Sequence, residues 1–260
     1  MSSRGKASPQ AHKKPPKSSL PATSVREFRV LLKEALTNAT TDDGRVIGSS
    51  KWGVYAFYDY DGEPIYVGQT KEGLATRVRR HLTNQRTDAV AMRILDTFEV
   101  AEVELWPLWD LTAMSKRDAQ TALDAAEYAA YLKAIDESRF KAILNEKIPP
   151  ASPAVELPQS YKFPLIGDGT RAERGHPDIR IARRAETIAR LAAVAHERGE
   201  VSIGLRRVLV IQAVRLAYLA AVRLAFAEGR PAPAPDAISV DGLIGSVLYE
   251  SDDEPDPDAD

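Results

Sequence analysis

Four residues in the first half of the chain have the types and spacing to act on a phosphate. Tyr55 and Tyr66 each sit in a short β-rich run, Gly53-Val54-Tyr55 and Tyr66-Val67-Gly68, and Arg77 and His81 follow four residues apart. On a helix that spacing stacks the last two on one face. Hydrolysis of a phosphodiester needs a proton acceptor near the attacking water and cationic or hydrogen-bonding groups on the nonbridging oxygens. It also needs a metal ion to polarise the phosphate or stabilise the leaving oxygen. Tyrosine and histidine meet the first need, arginine the second, and a carboxylate can hold the ion for the third.

One carboxylate breaks its local pattern. Residues 123, 126, 127, 130, 131 and 134 would share a helix face and read Leu, Ala, Glu, Ala, Tyr, Ala. An ionised Glu127 in that stripe is costly unless it is paired, holds a metal, or reaches water at the stripe's edge. Each residue also has an ordinary alternative. Tyrosines are favoured strand residues, His81 alone reads as a surface histidine, and Arg79, Arg80 and Arg86 read as a solvated face. The chemistry requires the set.

Other chemistries are missing. The chain has no P-loop, no Gly-x-Ser-x-Gly elbow and no His-Glu-x-x-His. It has no cysteine, so disulfides, thiolate nucleophiles and zinc–thiolate sites are excluded together, which fits a cytoplasmic protein. His12, His176 and His196 are too scattered to share a metal. The net charge of −2 argues against indiscriminate coating of nucleic acid. No run approaches the ~18 consecutive apolar residues of a membrane span, so no membrane partner is expected.

The elements that must position these residues follow from the pattern. Residues 1–23 form a basic Pro/Ser-rich tail, expected to be disordered. Ser24 with Glu27 three residues on reads as a capping box opening an amphipathic helix. Val54 to Tyr58 and Ile65 to Val67 flank Asp61-Gly62, a hairpin signal in which both turn positions want positive φ. Leu74 to Arg86 contains four arginines and no acid and reads as a short basic helix. A third strand is expected near Val100 to Leu105, and Ser115 with Asp118 opens the helix that carries Glu127. These elements make one unit over 24–150. An irregular Pro/Gly-rich connector over 151–177 and a helical hairpin over 178–229 follow, and 230–260 is read as a disordered acidic tail.

Taken together, the motifs resemble the GIY-YIG nuclease family over roughly residues 51–148. The two tripeptides are present with valine for isoleucine, ten residues separate the tyrosines, and an arginine, a histidine, a glutamate and an asparagine follow in order as Arg77, His81, Glu127 and Asn145. The resemblance implies an α/β (α+β) fold, a small three-stranded antiparallel sheet flanked by helices, to which this chain adds a C-terminal α-helical hairpin. It implies a DNA endonuclease using one divalent ion, Mg²⁺ or Mn²⁺. Glu127 would be the metal ligand and Arg77 would stabilise the pentavalent phosphate. Tyr55 would lie by the attacking water, Tyr66 would hydrogen-bond the phosphate, His81 would tune or accept the tyrosine proton, and Asn145 would help fix the site. Arg79, Arg80, Arg86 and Lys71 are expected on the nucleic-acid backbone. Many members carry a lysine three residues after the second tyrosine, where this chain has Gln69, with Lys71 as a substitute.

The rival function is a catalytically silent nucleic-acid-binding module that kept the fold. For the C-terminal hairpin three readings stand: a packed cover, a homodimerisation surface, or a DNA-targeting element using Arg183, Arg184, Arg190, Arg206, Arg207, Arg215 and Arg223.

Overall fold

The computed structural model describes residues 22–83 and 94–248. Its centre is an antiparallel sheet of four strands: β1 (Gly53–Tyr58), β2 (Pro64–Thr70), β3 (Glu102–Pro107) and β4 (Tyr161–Pro164), in spatial order β2-β1-β3-β4. In register, Tyr55 faces Gly68 on β2 and Leu105 on β3, and Phe57 faces Tyr66 and Val103. β1 is buried along its whole length, as a central strand covered on both faces must be.

The period of two along β1 sorts the site. Tyr55 and Phe57 face α2 (Leu74–Thr83), while Val54, Ala56 and Tyr58 face the opposite layer, where α3 (Lys116–Glu137) packs against β1 and β2. The start of α2 is tied to the start of β1 through Gly73 N–H to the Lys51 carbonyl (2.9 Å) and Leu74 N–H to the Ser50 carbonyl (3.0 Å). Arg77 and His81 are thereby suspended over the strand that carries Tyr55. Ser115 caps α3 by accepting from the Asp118 N–H at 3.2 Å, as its sequence predicts.

Four expectations are corrected. The sheet gains a fourth strand, because the connector supplies β4, whose Phe163 pairs with Val103, and then α4 (Asp168–Arg174). Ser24 is not a cap: α1 (Thr23–Lys33) begins before it, Ser24 Oγ accepts from Arg174, and Glu27 accepts from Thr170 Oγ1. The β1–β2 loop runs from Asp59 to Glu63, and of the Asp61-Gly62 pair only Gly62 has positive φ (71°). Asp59 Oδ1 organises that loop, accepting from Asp61 N–H (2.8 Å) and Glu63 N–H (3.2 Å). The C-terminal segment is largely exposed through residue 248 but is anchored at two points. It forms the single turn α7 (Asp241–Ile244), buries Val240 and Val247, and accepts a 2.6 Å hydrogen bond from Tyr131 at the Val247 carbonyl.

The helical hairpin consists of α5 (Pro177–Arg198) and α6 (Ile203–Ala227). Its Leu191, Leu205, Val208, Ile211 and Val214 join the same buried core as the sheet. α6 is long and apolar enough to cross a membrane by length and composition, but here its Arg215 is committed to an internal ion cluster. Arg180, Arg184 and Arg215 converge on Asp59 Oδ2, at 3.1, 2.9 and 2.8 Å. Asp59 is 1% exposed. Burial pushes its pKa up, but the three guanidinium groups outweigh that and hold it below the usual carboxylate value. Arg180 also reaches Asp61 (2.7 Å), Arg184 reaches Glu99 (3.1 Å), and Glu63 is met by Arg139 (3.0 Å). Burial and the charge of Arg184 lower the pKa of Arg215 to about 10, which leaves it charged at neutral pH.

Of the arginines read as a DNA-targeting set, Arg184 and Arg215 are buried in the ion cluster, and Arg183, Arg190 and Arg223 form ion pairs nearer the surface. Arg183 pairs with Asp96, Arg190 with Glu186 and Arg223 with Asp178.

Candidate functional site

Tyr55, Tyr66 and His81 form one aromatic cluster, with ring centroids 6.3 Å (Tyr55–Tyr66), 5.7 Å (Tyr55–His81) and 5.5 Å (Tyr66–His81) apart. Phe57 completes it, 5.4 Å from Tyr55 and 5.9 Å from Tyr66. Phe57 was not singled out in the sequence, although its position two residues after Tyr55 places it on the same face. The two motif glycines have steric reasons. A Cβ on Gly68 would lie 2.6 Å from the Tyr55 hydroxyl oxygen, and one on Gly53 would lie 2.7 Å from Leu74 Cγ. Gly68 makes room for the phenol, and Gly53 lets α2 approach the strand.

The polar atoms of this cluster are buried and unmatched. Tyr55 Oη, Arg77 Nε, both ring nitrogens of His81 and Gln69 Oε1 are enclosed without a hydrogen-bond partner. Buried polar groups are paired as a rule, so a cluster of orphans calls for an explanation, of which an arriving ligand, ion or water is one. Tyr55 is 0% and His81 1% exposed. Burial raises the Tyr55 pKa well above that of a free phenol, against the nearby Arg77 charge. Burial likewise pushes Tyr66 up to about 12. It lowers His81 to about 4, with Arg77 and Arg80 adding repulsion, so the imidazole is neutral at physiological pH.

Glu127 projects from α3 with its pKa raised to about 7, first by desolvation and then by the charge of Asp124, while Gln69 and Arg77 oppose the rise. Its charge acts on both Tyr55 and Tyr66. The structure thus brings Tyr55, Tyr66, Arg77 and His81 together from two strands and α2, while Glu127 stands on α3 in the opposite layer, near enough for its charge to act on both tyrosines.

A family model described as the GIY-YIG catalytic domain matches residues 51–117. This segment is a GIY-YIG domain. The match covers the tripeptides, Arg77, His81 and β3, and β4 pairs with β3 from beyond it. Glu127 and Asn145 lie beyond the matched residues and are placed by geometry. No curated protein and no solved structure matches the chain.

Asn145 does not project into the aromatic cluster. Its amide pairs twice with Val67, accepting from the N–H at 3.0 Å and donating to the carbonyl at 2.9 Å. Beside it Leu144 N–H donates to the Ile65 carbonyl at 2.8 Å. Asn145 is therefore a positioning residue, pinning the outer edge of β2 between Tyr66 and Gly68. The next residue, Glu146, is held by the start of α6. Ser202 Oγ donates to its carboxylate (2.7 Å), Arg207 to its carbonyl (2.8 Å), and Gly204 lies so close that a Cβ would stand 1.9 Å from that carbonyl oxygen.

The expected backbone-binding residues are dispersed. Arg79 is exposed and donates to Thr37 Oγ1 at 3.4 Å, Arg80 pairs with Glu72, and Lys71 donates to Gln120 Oε1 at 3.4 Å. Arg86 lies outside the described residues. Arg77 is the arginine beside the tyrosines. Gln69 stands on β2 and donates to Asp124 Oδ1 at 2.8 Å. Asp124, one turn before Glu127, is a further residue of the site. It could have been found by extending the helix face back from Glu127 by three residues.

The donor set suits a hard divalent cation. Among the described residues no group of three or more His, Cys, Asp or Glu is placed to cage a metal. Mg²⁺ needs no such cage: it takes one or two carboxylates and keeps several waters. Glu127 is a carboxylate whose pKa desolvation raises to about 7 against only partial opposition from Gln69 and Arg77, so a bound cation would relieve it.

Proposed function

We propose that the chain is a metal-dependent DNA endonuclease. The observation that carries this reading is the gathering of orphaned buried polar atoms from Tyr55, Arg77 and His81 around the two tyrosines, next to an under-compensated glutamate.

Each residue has a role that follows from its environment. Arg77 offers a guanidinium to the nonbridging oxygens of a phosphodiester, and its charge is complementary to the transition state. Tyr66, kept protonated, donates a hydrogen bond to the phosphate. Tyr55 is also held as a phenol and orients the attacking water. His81 enters neutral with two free nitrogens, and an arriving phosphate anion raises its pKa and lets it take the proton. Glu127 holds the ion, Mg²⁺ or Mn²⁺, which when bound supplies Lewis-acid polarisation and stabilises the leaving oxygen.

The test is incubation of duplex, single-stranded and branched DNA with Mg²⁺, comparing the wild type with Glu127→Ala. Cleavage by the wild type alone is expected. No cleavage of any substrate by the wild type overturns the enzyme reading.

A further inference from the structure

We infer that Asp124, clasped by Gln69, is an outer-sphere positioning residue of the metal centre, a role that rests on Glu127 being the ligand as proposed above. The Gln69 amide lies between two carboxylates. Its N–H₂ donates to Asp124 Oδ1 at 2.8 Å, and its proximity draws down the pKa of Glu127. Gln120 donates to the same Asp124 oxygen, also at 2.8 Å. Two amides therefore fix the orientation of Asp124, and its Oδ2 accepts from none of the described residues. Gln69 Oε1, on the far side of the same amide, is buried without a donor.

An oriented acceptor oxygen is what a hydrated cation requires. Mg²⁺ dehydrates reluctantly, so an ion bound through a single carboxylate keeps several waters, each with protons to donate. Asp124 Oδ2 supplies an acceptor one helical turn from Glu127, with the orientation of its carboxylate fixed by the Gln69 and Gln120 amides, and Asp124 adds a second negative charge there. The contacts also tie α3 to β2, holding Glu127 in register with Tyr66. Outer-shell partners of this kind typically contribute about 10–100-fold to metal affinity.

The experiment is titration of the full chain with Mn²⁺ alone, reading free Mn²⁺ by electron paramagnetic resonance, with thermal melts of the apo proteins in parallel. Asp124→Asn keeps the shape and removes the charge. It is expected to weaken Mn²⁺ binding by about 10-fold or more, with Gln69→Met weakening it in the same direction. Glu127→Gln is expected to abolish binding. If Asp124→Asn binds Mn²⁺ as the wild type does while Glu127→Gln does not, the role of Asp124 is overturned. A lowered melting temperature with unchanged affinity overturns it too, since that is the signature of a tether alone. If Glu127→Gln binds like the wild type, or the wild type binds no Mn²⁺, the metal-centre reading itself falls.

Discussion

Two arginine–carboxylate clusters stand near opposite ends of the β1–β2 hairpin, and they are built on opposite rules. At the Asp59 end, three guanidinium groups saturate one carboxylate oxygen, and the remaining acids each have a partner. The loosest contacts there, Arg180 Nε to Glu99 at 3.7 Å and Arg215 Nη1 to Glu63 at 4.0 Å, still face a carboxylate. At the Tyr55 end the phenol oxygen, both imidazole nitrogens and Arg77 Nε have no geometric hydrogen-bond partner, the Arg77 charge lies beside the phenol, and Glu127 is pushed toward neutrality. A closed charge ledger marks a structural joint, and an open one marks a place for a ligand. Arginine content alone does not distinguish them.

The largest expected effect comes from breaking the closed cluster. Asp59→Ala strands three buried guanidinium groups and should cost about 3–5 kcal/mol of stability, read by urea denaturation. A loss under 1 kcal/mol would mean the cluster is hydrated and the contrast with the site is false. Glu127→Gln should do the reverse. It should reduce cleavage by about 10²–10³-fold while leaving the melting temperature unchanged or raised, because it removes a desolvated carboxylate. A clear drop in melting temperature would show that Glu127 is a structural residue. Gly68→Ala places a methyl group against the Tyr55 hydroxyl and should lower cleavage by about 10–100-fold. Retention of full activity would mean that the phenol position is not critical.

The smallest effect is a slope against pH. His81 has a folded pKa of about 4 against 6.5 when free, so the unfolded chain takes up its proton first. Stability should therefore fall as pH drops from about 6.5 to about 4. Glu127, raised to about 7 from 4.5, contributes the opposite slope, since the folded state binds its proton first and gains stability as pH drops from about 7 to about 4.5. Apo Glu127→Gln should thus be more acid-sensitive than the wild type. Adding His81→Phe should flatten the curve. An unchanged curve in the double variant would show that His81 does not remain neutral in the fold.

The candidate set was legible because it is local in pattern. Tyr55, Tyr66, Arg77 and His81 fall within 27 residues, and Glu127 betrays itself against an apolar helix stripe. The Asp59 cluster was not legible, since its partners come from positions 180, 184 and 215, where arginine on an alanine-rich helix looks like a solvated surface. β4 was hidden for a related reason. Four residues ending in proline carry no period, and only pairing with β3 makes them a strand. Asn145 was placed in the site by resemblance, but only the contacts with Val67 show that it acts on the backbone.

Those contacts bear on what can be cut away. β2 is the outermost strand on its side of the sheet, and an open strand edge is a template for pairing with a second chain. Leu144 and Asn145 occupy that edge, and Ser202, Gly204 and Arg207 of α6 hold the next residue in place. A fragment limited to residues 51–117 would lack this cover as well as Glu127, and would offer neighbouring copies an unprotected Tyr66-Val67-Gly68 edge. The autonomous unit of this protein therefore extends into α6, and shorter pieces should fail first by self-association rather than by inactivity.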